Sequence, residues 1–389
     1  MVLPRHWRER ARRRLPKMIF DFVDGAAEDE VTMRRNRAAF DDLAFAGRLL
    51  QGSGTRSHKV TVLGQELALP VITAPTGLSR ASGRDGEVAA ARAASAAGTV
   101  SILSGTASAS AEEVAAAVDE PQWFQTYLYR EPERMQRMLA TVRAAGFRVL
   151  VVTGDAPVGG NRERDTVNGM SIPIRVRPKM AVNAALRPRW LFDYLTGPPM
   201  VQSSLAKPPN LIQRVFPGAD PSLESVMGGM FNPDQSWDDL KALRDVWSGP
   251  LVLKGVMNGD DARRAVDAGC DGIIVSNHGG RQLDSLPASI EVLPEVVDAV
   301  GASADVLLDS GVRRGSDVVK ALALGAKACL IGRPWVWGLA AGGEAGIAQV
   351  LSTFASEIDR VQGLIGVSDV NDLSSADLRR RPNSGWVRF

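Results

Sequence analysis

The sequence predicts an α/β fold, a closed (β/α)8 TIM barrel with N-terminal helices and a long insertion after the fourth strand. Eight short apolar runs are each followed by a segment of helical periodicity, and eight βα units close a barrel of this kind. The runs start at Val71, Val100, Trp123, Val149, Pro250, Gly272, Ala304 and Ala328. Each run ends in polar residues or glycines, which would gather on the face where such barrels build their active sites.

The segments around the barrel are predicted from local patterns within one catalytic domain, residues 1–389. Residues 5–45 have the periodicity of helices with a turn at Asp24-Gly25, so 1–58 is expected to be an N-terminal helical segment. Residues 59–69 resemble a small β-hairpin, and residues 71–366 form the predicted barrel. A long helix is expected over about 336–365.

A long insertion follows the fourth predicted strand, because the run at Val149 is followed by the next run only at Pro250. The insertion covers about residues 156–235 and holds eleven of the 22 prolines and five of the 11 methionines. This composition predicts a long loop with short helices. A loop of this length in a compact domain is usually functional or mobile.

Two barrel helices have clear start and stop signals. Asp260-Asp261 opens a helix that would end at Gly269, and Ser316-Asp317 opens one that would end at Gly325. Acidic or hydroxyl side chains satisfy free N–H groups at a helix start, while glycine accepts the left-handed backbone of a helix stop. Both helices lie between predicted strands, as the barrel requires.

Composition excludes several classes of protein. With 45% hydrophobic residues, 23% charged residues and a net charge of +2, the chain is expected to be globular and not to bind nucleic acid. No apolar segment is long enough to span a bilayer, and no signal-peptide core is found at the N-terminus. Cys270 and Cys329 lie in apolar runs, which favours buried thiols in the cytoplasm over a disulfide. No Cys/His cluster predicts a metal site.

The most informative motif runs from Ser276 to Asp284, directly after the apolar run 271–275. It brings a base, His278, two glycines and a cation, Arg281, to the end of the sixth predicted strand. Glycines there allow the backbone to approach a ligand closely. The chain has only three histidines, and His278 is the one placed where a barrel carries catalytic residues.

The last two βα units have the features of a phosphate site. The segment 310–316, with sequence Ser-Gly-Val-Arg-Arg-Gly-Ser, runs into a predicted helix, and Gly332-Arg333 precedes the last helix. Backbone N–H groups at a helix start and a nearby cation are a common way to bind phosphate in this part of a barrel.

Together these motifs resemble one family, the FMN-dependent L-2-hydroxy-acid dehydrogenases and oxidases. The resemblance covers about residues 12–378 and rests on 15–18, 74–77, 124–125, 161–165, 253–255, 276–284 and 332–333. Segments 309–311 and 186–190 are most similar to the mandelate dehydrogenase branch of that family. The strand-six motif is the most specific of these matches.

The resemblance implies FMN as the cofactor and a role for each matching residue. His278 would be the general base, Asp155 would hold its imidazole, and Arg281 and Arg162 would bind the substrate carboxylate. The remaining catalytic residues would be Tyr127, which contacts the substrate, and Lys254, which lies near flavin N1. The residues expected to bind FMN are Pro75, Thr76, Gly77, Ser104, Gln125, Thr153, Lys254, Ser276, Asp309, Gly311, Arg313, Gly332 and Arg333.

The resemblance also implies partners. The substrate would be a small 2-hydroxy acid, and the electron acceptor would be O2, a quinone or a soluble carrier. A homo-oligomer, by resemblance a tetramer, is expected. Two alternatives remain open: an FMN barrel that oxidises a cyclic amine in a maturation pathway, which Arg281 argues against, and a non-catalytic FMN-binding barrel.

Three departures from the family pattern bear on the substrate. Phe22 stands where many members have a tyrosine that helps to bind the carboxylate, and Thr106 stands where glycolate oxidase has a pocket tryptophan. Gly77 occupies a position near the flavin that is alanine in many oxidases. The loss of an indole at Thr106 predicts a pocket for a bulky, aromatic 2-hydroxy acid.

An aromatic and basic cluster in the insertion bears on location. It consists of Trp190, Leu191, Phe192, Tyr194 and Leu195, flanked by Arg187 and Arg189. Such a cluster is typical of a helix at a membrane interface, and the resemblance implies peripheral contact with the inner membrane face. The equally open alternative is that these residues cover the barrel or a subunit interface.

Overall fold

A computed structural model describes residues 4–169, 178–198 and 232–381. The chain begins with α1 (Pro4–Arg14), α2 (Lys17–Asp24) and α3 (Val31–Asp41). A short strand β1 (Leu43–Phe45) and a hairpin of β2 (Val60–Val62) and β3 (Gln65–Leu67) follow. These segments bring the C-terminal end of α2 and the start of α3 against the barrel, where they help to form the site.

The barrel is built from eight parallel strands, so the predicted fold class is confirmed. They are β4 (Val71–Thr73), β5 (Ile102–Ser104), β6 (Trp123–Tyr127), β7 (Val149–Thr153), β8 (Leu251–Val256), β9 (Gly272–Val275), β10 (Asp305–Leu308) and β11 (Ala328–Ile331). Neighbours in the chain are neighbours in the sheet, and β4 pairs with β11. The barrel closes between β4 and β5 through a single β-bridge between Thr73 and Ser101, and the hydroxyl oxygens of these two residues lie 2.8 Å apart.

The outer helices alternate with the strands. They are α4 (Gly86–Ala96), α5 (Ala111–Ala115), α6 (Pro132–Ala144), α10 (Trp237–Val246), α11 (Gly259–Asp267), α12 (Ser289–Val300), α13 (Gly315–Ala323) and α14 (Arg333–Ile365), while α7 (Glu163–Asn168), α8 (Pro178–Ala185) and α9 (Pro188–Thr196) belong to the insertion. Helix starts follow the local signals: Ser236 caps α10, Asn258 caps α11, and proline begins α6 and α9.

Burial on both faces explains why the barrel strands could be located in the sequence. All five residues of β7 are buried, as are all four of β9 and of β11. Parallel strands covered by helices on one side and by the barrel interior on the other read as continuous apolar runs. Both cysteines are free and buried in this core, and burial raises the pKa of Cys270 to about 12.

One expectation about the appendages was wrong, and the predicted long last helix starts slightly earlier than expected. Residues 43–45 form a strand and not helix, because they pair with β12 (Leu378–Arg380), a partner that no local pattern reveals. The last helix begins at Arg333 rather than near 336, and its backbone breaks at Gly342 and Gly343. The break folds one half onto the other, since a Cβ atom on Gly346 would lie 2.1 Å from the Gly338 carbonyl oxygen.

The insertion contains short helices where it is described. α7, α8 and α9 lie in it, whereas residues 170–177 and 199–231, with most of its prolines and methionines, lie outside the described residues. In the described part of the chain, no helix has the length and apolar character needed to cross a bilayer.

Candidate active site

An open cavity lies at the carboxyl ends of the barrel strands. The residues predicted for the site that line it are Phe22, Pro75, Thr76, Gly77, Ser104, Gln125, Tyr127, Thr153, Arg162, Lys254, His278, Arg281, Asp309, Gly311, Arg313, Gly332 and Arg333. Most of these residues lie at the ends of strands or in the loops that follow them. The exceptions are Phe22, which lies in α2, and Arg162, which lies at the start of the insertion. The structure therefore brings residues from 22 to 333 into one place.

Two predicted residues lie behind the cavity wall and not on it. The Asp155 carboxylate contacts the His278 ring, and the Ser276 hydroxyl accepts a hydrogen bond of 2.9 Å from the Lys254 ammonium. The Ser276 hydroxyl also accepts the backbone N–H of His278 at 3.1 Å. Both residues therefore act on the cavity through a neighbouring side chain.

His278 and Asp155 form the clearest acid–base pair of the site. His278 Nδ1 lies 3.0 and 3.1 Å from the two carboxylate oxygens of Asp155. Burial lowers the pKa of His278 below its ordinary value, although Asp155 opposes this shift. Burial alone would raise the pKa of Asp155, but His278 and Lys254 hold it below its ordinary value. The geometry thus presents a neutral imidazole supported by an ionised carboxylate.

The loop that carries His278 has an unusual backbone. His278, Gly279 and Gly280 have φ angles of 58°, 67° and 74°, all in the left-handed region. A Cβ atom on Gly280 would lie 2.8 Å from the backbone nitrogen of Met33, so the second glycine is needed for both conformation and space. The strained turn at His278 is typical of residues held for function.

Ser310 holds this turn in place. Its hydroxyl accepts the backbone N–H groups of Gly279 at 2.9 Å and of Asn277 at 3.3 Å, and it donates to Asp309 at 2.7 Å. Ser310 follows strand β10, so the loop after one strand fixes the loop after the preceding one.

Lys254 is a buried cation beside the cavity. Its ammonium group lies 3.2 Å from the Asp309 carboxylate and donates to Ser276. Burial would lower the pKa of Lys254, but Asp309 and then Asp155 raise it above its ordinary value. Lys254 therefore remains charged and supplies a fixed positive charge in a water-poor site.

Arg162 and Arg281 bring two further cations to the cavity. Arg281 donates to the backbone carbonyls of Phe22 and Gly25, each at 2.8 Å, and its guanidinium lies 5.4 Å from the centre of the Phe22 ring. Arg162 donates to the Arg281 carbonyl and to Gln282, each at 3.2 Å. Burial lowers the pKa of both arginines, and Arg162 lowers that of Arg281 further. An anion bound between the two guanidinium groups would offset the free-energy cost of burying both positive charges.

Tyr127 contributes a hydroxyl to the same part of the cavity. Burial raises the pKa of Tyr127 to about 12, against the opposing charge of Arg162. The phenol therefore stays protonated and can donate a hydrogen bond to a ligand.

Arg313 and Arg333 form a second cationic region. Burial lowers the pKa of Arg313 to about 9 and that of Arg333 to about 10, and repulsion from Arg333 contributes to the Arg313 shift. In the described ranges neither guanidinium forms an ion pair with a carboxylate; Arg333 instead donates to the Asp24, Gly25 and Gly279 carbonyls. Two such cations beside a helix start are suited to bind a dianion such as phosphate.

A row of amide and hydroxyl groups lies between these cationic regions. Gln125 donates to the Thr153 hydroxyl at 2.9 Å and accepts from the Ser104 hydroxyl at 3.1 Å. The Ser104 hydroxyl lies 2.9 Å from that of Thr106. These groups can offer hydrogen bonds to a polar heterocycle.

Three polar residues of the site, Gln282, Asp165 and Ser310, were not among the predicted site residues. Gln282 connects Arg162 to the loop after β7, because its amide donates hydrogen bonds to the Asp155 and Val158 carbonyls and accepts one from Arg162. Asp165 lines the cavity near Arg281 and Arg162, and burial raises its pKa. Ser310 is the third. All three lie inside the quoted motifs, so their positions carried a signal, but the role of Ser310 depends on its contacts with Asn277 and Gly279 of another loop.

Comparisons with known proteins identify the family of the chain. The family described as FMN-dependent dehydrogenase matches residues 11–380. The L-lactate dehydrogenase of Caulobacter vibrioides (strain NA1000 / CB15N) is 43% identical over 385 residues, 97% of this chain and 98% of that protein. The monotopic membrane protein (S)-mandelate dehydrogenase has a crystal structure with a TM-score of 0.90 and 37% identity, over 98% of this chain and 100% of that chain.

A third comparison points the same way. A mandelate oxidase crystallised with (S)-2-phenylpropionate gives a TM-score of 0.80 and 34% identity, over 98% of each chain. The match covers nearly the whole chain, including both halves of the barrel and the segments before it. The chain therefore belongs to the FMN-dependent α-hydroxy acid dehydrogenase family and oxidises an L-2-hydroxy acid to the 2-oxo acid with FMN.

Proposed function

We propose that His278 is the base of this reaction, that the substrate is a mandelate- or lactate-like 2-hydroxy acid, and that the pocket accepts a bulky, aromatic acid better than glycolate. The observation that carries the proposal is the His278–Asp155 pair, 3.0 Å apart, in one cavity with Arg162 and Arg281. A base, its carboxylate partner and two guanidinium groups are the groups that deprotonation of an anionic hydroxy acid requires.

His278 takes the hydroxyl proton of the substrate. Its Nδ1–H donates to Asp155, which leaves Nε2 unprotonated in the neutral ring and free to accept the proton. As the imidazole becomes charged, the Asp155 carboxylate stabilises it. FMN, when bound, would supply the acceptor for the hydride, or its equivalent of two electrons and a proton, that leaves the substrate carbon as its C–H bond breaks.

Arg162 and Arg281 bind the substrate carboxylate and orient the hydroxyl toward His278. Planar guanidinium groups match the two oxygens of a carboxylate. The carboxylate in turn neutralises two cations whose pKa values are lowered by burial. Tyr127 donates a further hydrogen bond to the substrate from the same wall.

The residues around the rest of the cavity fit FMN. Arg313 and Arg333 lack carboxylate partners within the described ranges and would hold the phosphate. Ser104, Gln125 and Thr153 present hydrogen-bonding groups for the polar edge of the ring system. Lys254 places a permanent positive charge that would favour a negatively charged reduced flavin. Pro75, Thr76, Gly77, Asp309, Gly311 and Gly332 complete the lining of the proposed FMN site, and Ser276 would support it through Lys254.

Three residues of the cavity bear on the size of the substrate. Thr106, Gly77 and Phe22 line the cavity. A Cβ atom on Gly77 would lie 2.1 Å from the Thr106 hydroxyl, so the wall is closely packed there and glycine keeps it clear. Neither Thr106 nor Gly77 fills the space that a tryptophan or a larger residue would occupy, which favours a substrate with a sizeable side chain.

We also propose that the insertion binds a membrane surface and that the electron acceptor is a membrane quinone. In the described part of α8, in α9 and in the turn between them, the exposed large apolar or aromatic side chains are Val182, Leu186, Phe192, Tyr194 and Leu195. Phe192 and Leu195 are 63% and 70% exposed. Arg14 forms an ion pair with Asp193, and this contact brings the last turn of α1, with the exposed Arg12 and Arg13, next to α9. Apolar and basic groups side by side are typical of helices that lie in an anionic interface.

The predicted interface cluster is only partly exposed. Trp190 is 4% exposed, its indole N–H donates to the Ala81 carbonyl at 2.8 Å, and its ring stacks on Tyr194. Leu191 packs against the core. These two residues therefore anchor α9 to the barrel, and only the other side of the helix can meet lipid.

Rapid anaerobic mixing of the purified yellow protein with L-mandelate, L-lactate and glycolate tests the proposed substrate. Bleaching of the visible flavin band should be fastest with mandelate or lactate. Bleaching by glycolate alone would contradict the proposed pocket. Light scattering of the same sample tests the tetramer that forms part of this proposal.

A further inference from the structure

Arg281 and Arg333, the proposed partners of the substrate carboxylate and the FMN phosphate, are held by one short stretch of backbone. Arg281 donates to the carbonyls of Phe22 and Gly25, each at 2.8 Å. Arg333 donates to the carbonyl of Gly25 at 2.7 Å and of Asp24 at 3.1 Å. The Gly25 carbonyl oxygen therefore lies between the two cations and accepts from both.

This backbone is the C-terminal end of α2, and its carbonyls carry the negative end of the helix dipole. Unpaired carbonyls at a helix end attract cations. Here they offset part of the cost of burying two guanidinium groups. Burial lowers the pKa of both, Arg162 and Arg333 lower that of Arg281 further, and Arg162 and Arg164 lower that of Arg333. The position of residues 22–25 therefore sets where both cations lie.

Arg164 holds this end of α2 from the side of the insertion. Its guanidinium lies against the Glu30 carboxylate, 3.5 Å from Asp24 and 3.9 Å from Asp21. Its Cδ atom would be only 3.1 Å from a Cβ atom on Gly25, so the absence of a side chain at Gly25 gives Arg164 room.

The carboxylates that Arg164 contacts are themselves fixed. Asp24 is buried and accepts two hydrogen bonds of 2.7 Å from Arg8. Glu30 accepts the backbone N–H of Ala26 at 2.9 Å. Arg164 thus joins the last turn of α2 to the turn before α3, and it touches neither the cavity nor His278.

We propose that Arg164 is a positioning residue that sets the affinity for the substrate carboxylate and the FMN phosphate through the carbonyls of residues 22–25. This inference rests on the proposed roles of Arg281 and Arg333. Arg164 lies in α7, the first helix of the insertion, so the insertion acts on ligand binding through a residue outside the cavity as well as through Arg162, which lines it. A change at Arg164 should act on binding and not on proton transfer.

The test is the Arg164→Gln variant, with two readouts. The KM for L-mandelate and the Kd of FMN, measured by quenching of flavin fluorescence on titration of the apoprotein, should each rise about tenfold. The kcat at saturating substrate and FMN should stay within about twofold, because the His278–Asp155 pair is not touched. Unchanged KM and Kd, or a fall in kcat alone, would overturn the proposal.

Two further variants separate positioning from long-range charge and from folding. Arg164→Lys keeps the charge but cannot contact Asp24 and Glu30 together, so it should recover only part of the affinity; full recovery would show that charge alone matters. Glu30→Gln removes the carboxylate partner of Arg164 and should raise KM and Kd in the same way. This variant provides the test if Arg164→Gln does not fold. An unchanged KM and Kd in Glu30→Gln would count against the proposal.

Controls distinguish this inference from the proposed function. Arg56→Gln breaks a two-bonded ion pair with Asp359, at 2.8 and 2.9 Å, away from the site, and should leave KM and Kd unchanged. Arg281→Met and Arg333→Met are measured in parallel. If Arg281→Met leaves KM unchanged, the proposed role of Arg281 is wrong. If it raises KM while Arg164→Gln does not, only the positioning role is wrong.

Discussion

His278 Nδ1 lies 3.0 and 3.1 Å from the two carboxylate oxygens of Asp155. Because the pKa of Asp155 is held below its ordinary value, the carboxylate is ionised and accepts the Nδ1 proton. That contact fixes the tautomer and leaves Nε2 as the basic atom. One carboxylate thus orients the ring and stabilises the charge that the ring acquires.

The first prediction concerns His278. In the His278→Ala variant, turnover should fall about 10²- to 10⁴-fold, the usual contribution of a general base. FMN should stay bound, because the proposed phosphate ligands Arg313 and Arg333 are unchanged. Steady-state kinetics and the visible flavin spectrum measure the two effects separately. Near-normal turnover by a yellow variant would show that His278 is not the base.

The second prediction concerns pH. The base must be unprotonated, and burial lowers the pKa of His278 from its ordinary 6.5, so kcat/KM should fall only below about pH 6.5. Asp155 raises the pKa of His278, so Asp155→Asn should move this limb to still lower pH while reducing the plateau. The measurement is kcat/KM of both proteins from about pH 4 to 9, the range over which histidine titrates, at fixed ionic strength. A limb that moves to higher pH in Asp155→Asn contradicts the assignment.

The third prediction separates the phosphate from the ring. Arg313→Gln should weaken FMN binding by about 10- to 150-fold, which corresponds to the loss of one hydrogen bond to a charged group, about 1.5–3 kcal/mol. Binding of riboflavin, which has no phosphate, should not change. Fluorescence titration of the apoprotein with both flavins gives the comparison. An equal loss for riboflavin would mean that Arg313 supports the fold and not the phosphate.

The fourth prediction concerns the membrane. The double variant Phe192→Asp and Leu195→Asp should reduce flotation with anionic vesicles at least about tenfold, since each buried side chain of this size contributes about 1.5–3 kcal/mol. Leu364→Asp changes a residue that is equally exposed, at 73%, but lies on α14, and serves as the control. If the unchanged protein stays wholly in the soluble fraction, the proposed docking is wrong and a soluble acceptor or O2 replaces the quinone.

The features that depend on local sequence pattern, such as the barrel strands and the polar residues at their ends, could be predicted. The strand starts at Val71, Trp123, Val149, Gly272 and Ala328 were correct, because a strand buried on both faces must be apolar throughout. Polar residues at strand ends marked the cavity because all parallel strands end at the same face. This is why residues so far apart in the chain could be placed together.

Contacts between distant segments could not be predicted. Leu43–Phe45 becomes a strand only because residues 378–380 lie beside it. Trp190 and Phe192 have the same aromatic character in the sequence, yet one is buried on the Ala81 carbonyl and the other is exposed. Which side of a short helix faces inward is set by the surface on which it packs, and that surface comes from another part of the chain.

The last prediction concerns the size of the substrate. Phe22 lies in the cavity wall with the Arg281 guanidinium 5.4 Å from its ring centre, so Phe22→Tyr would add a hydroxyl near the proposed carboxylate site. A hydrogen bond to a charged group contributes about 1.5–3 kcal/mol, or roughly 10- to 150-fold in affinity. Glycolate has little other than its carboxylate to bind with, and it should gain most from the new donor.

A larger acid gains less, because its side chain already contributes through apolar burial at about 25 cal/mol per Å² beside Thr106. Phe22→Tyr should therefore lower KM for glycolate and lactate and change KM for mandelate and phenyllactate much less. The measurement is kcat/KM for these four acids with both proteins, and Thr106→Trp, which refills the wall, should reverse the preference toward small acids. If glycolate is the best substrate of the unchanged protein, the pocket does not select for size in this way.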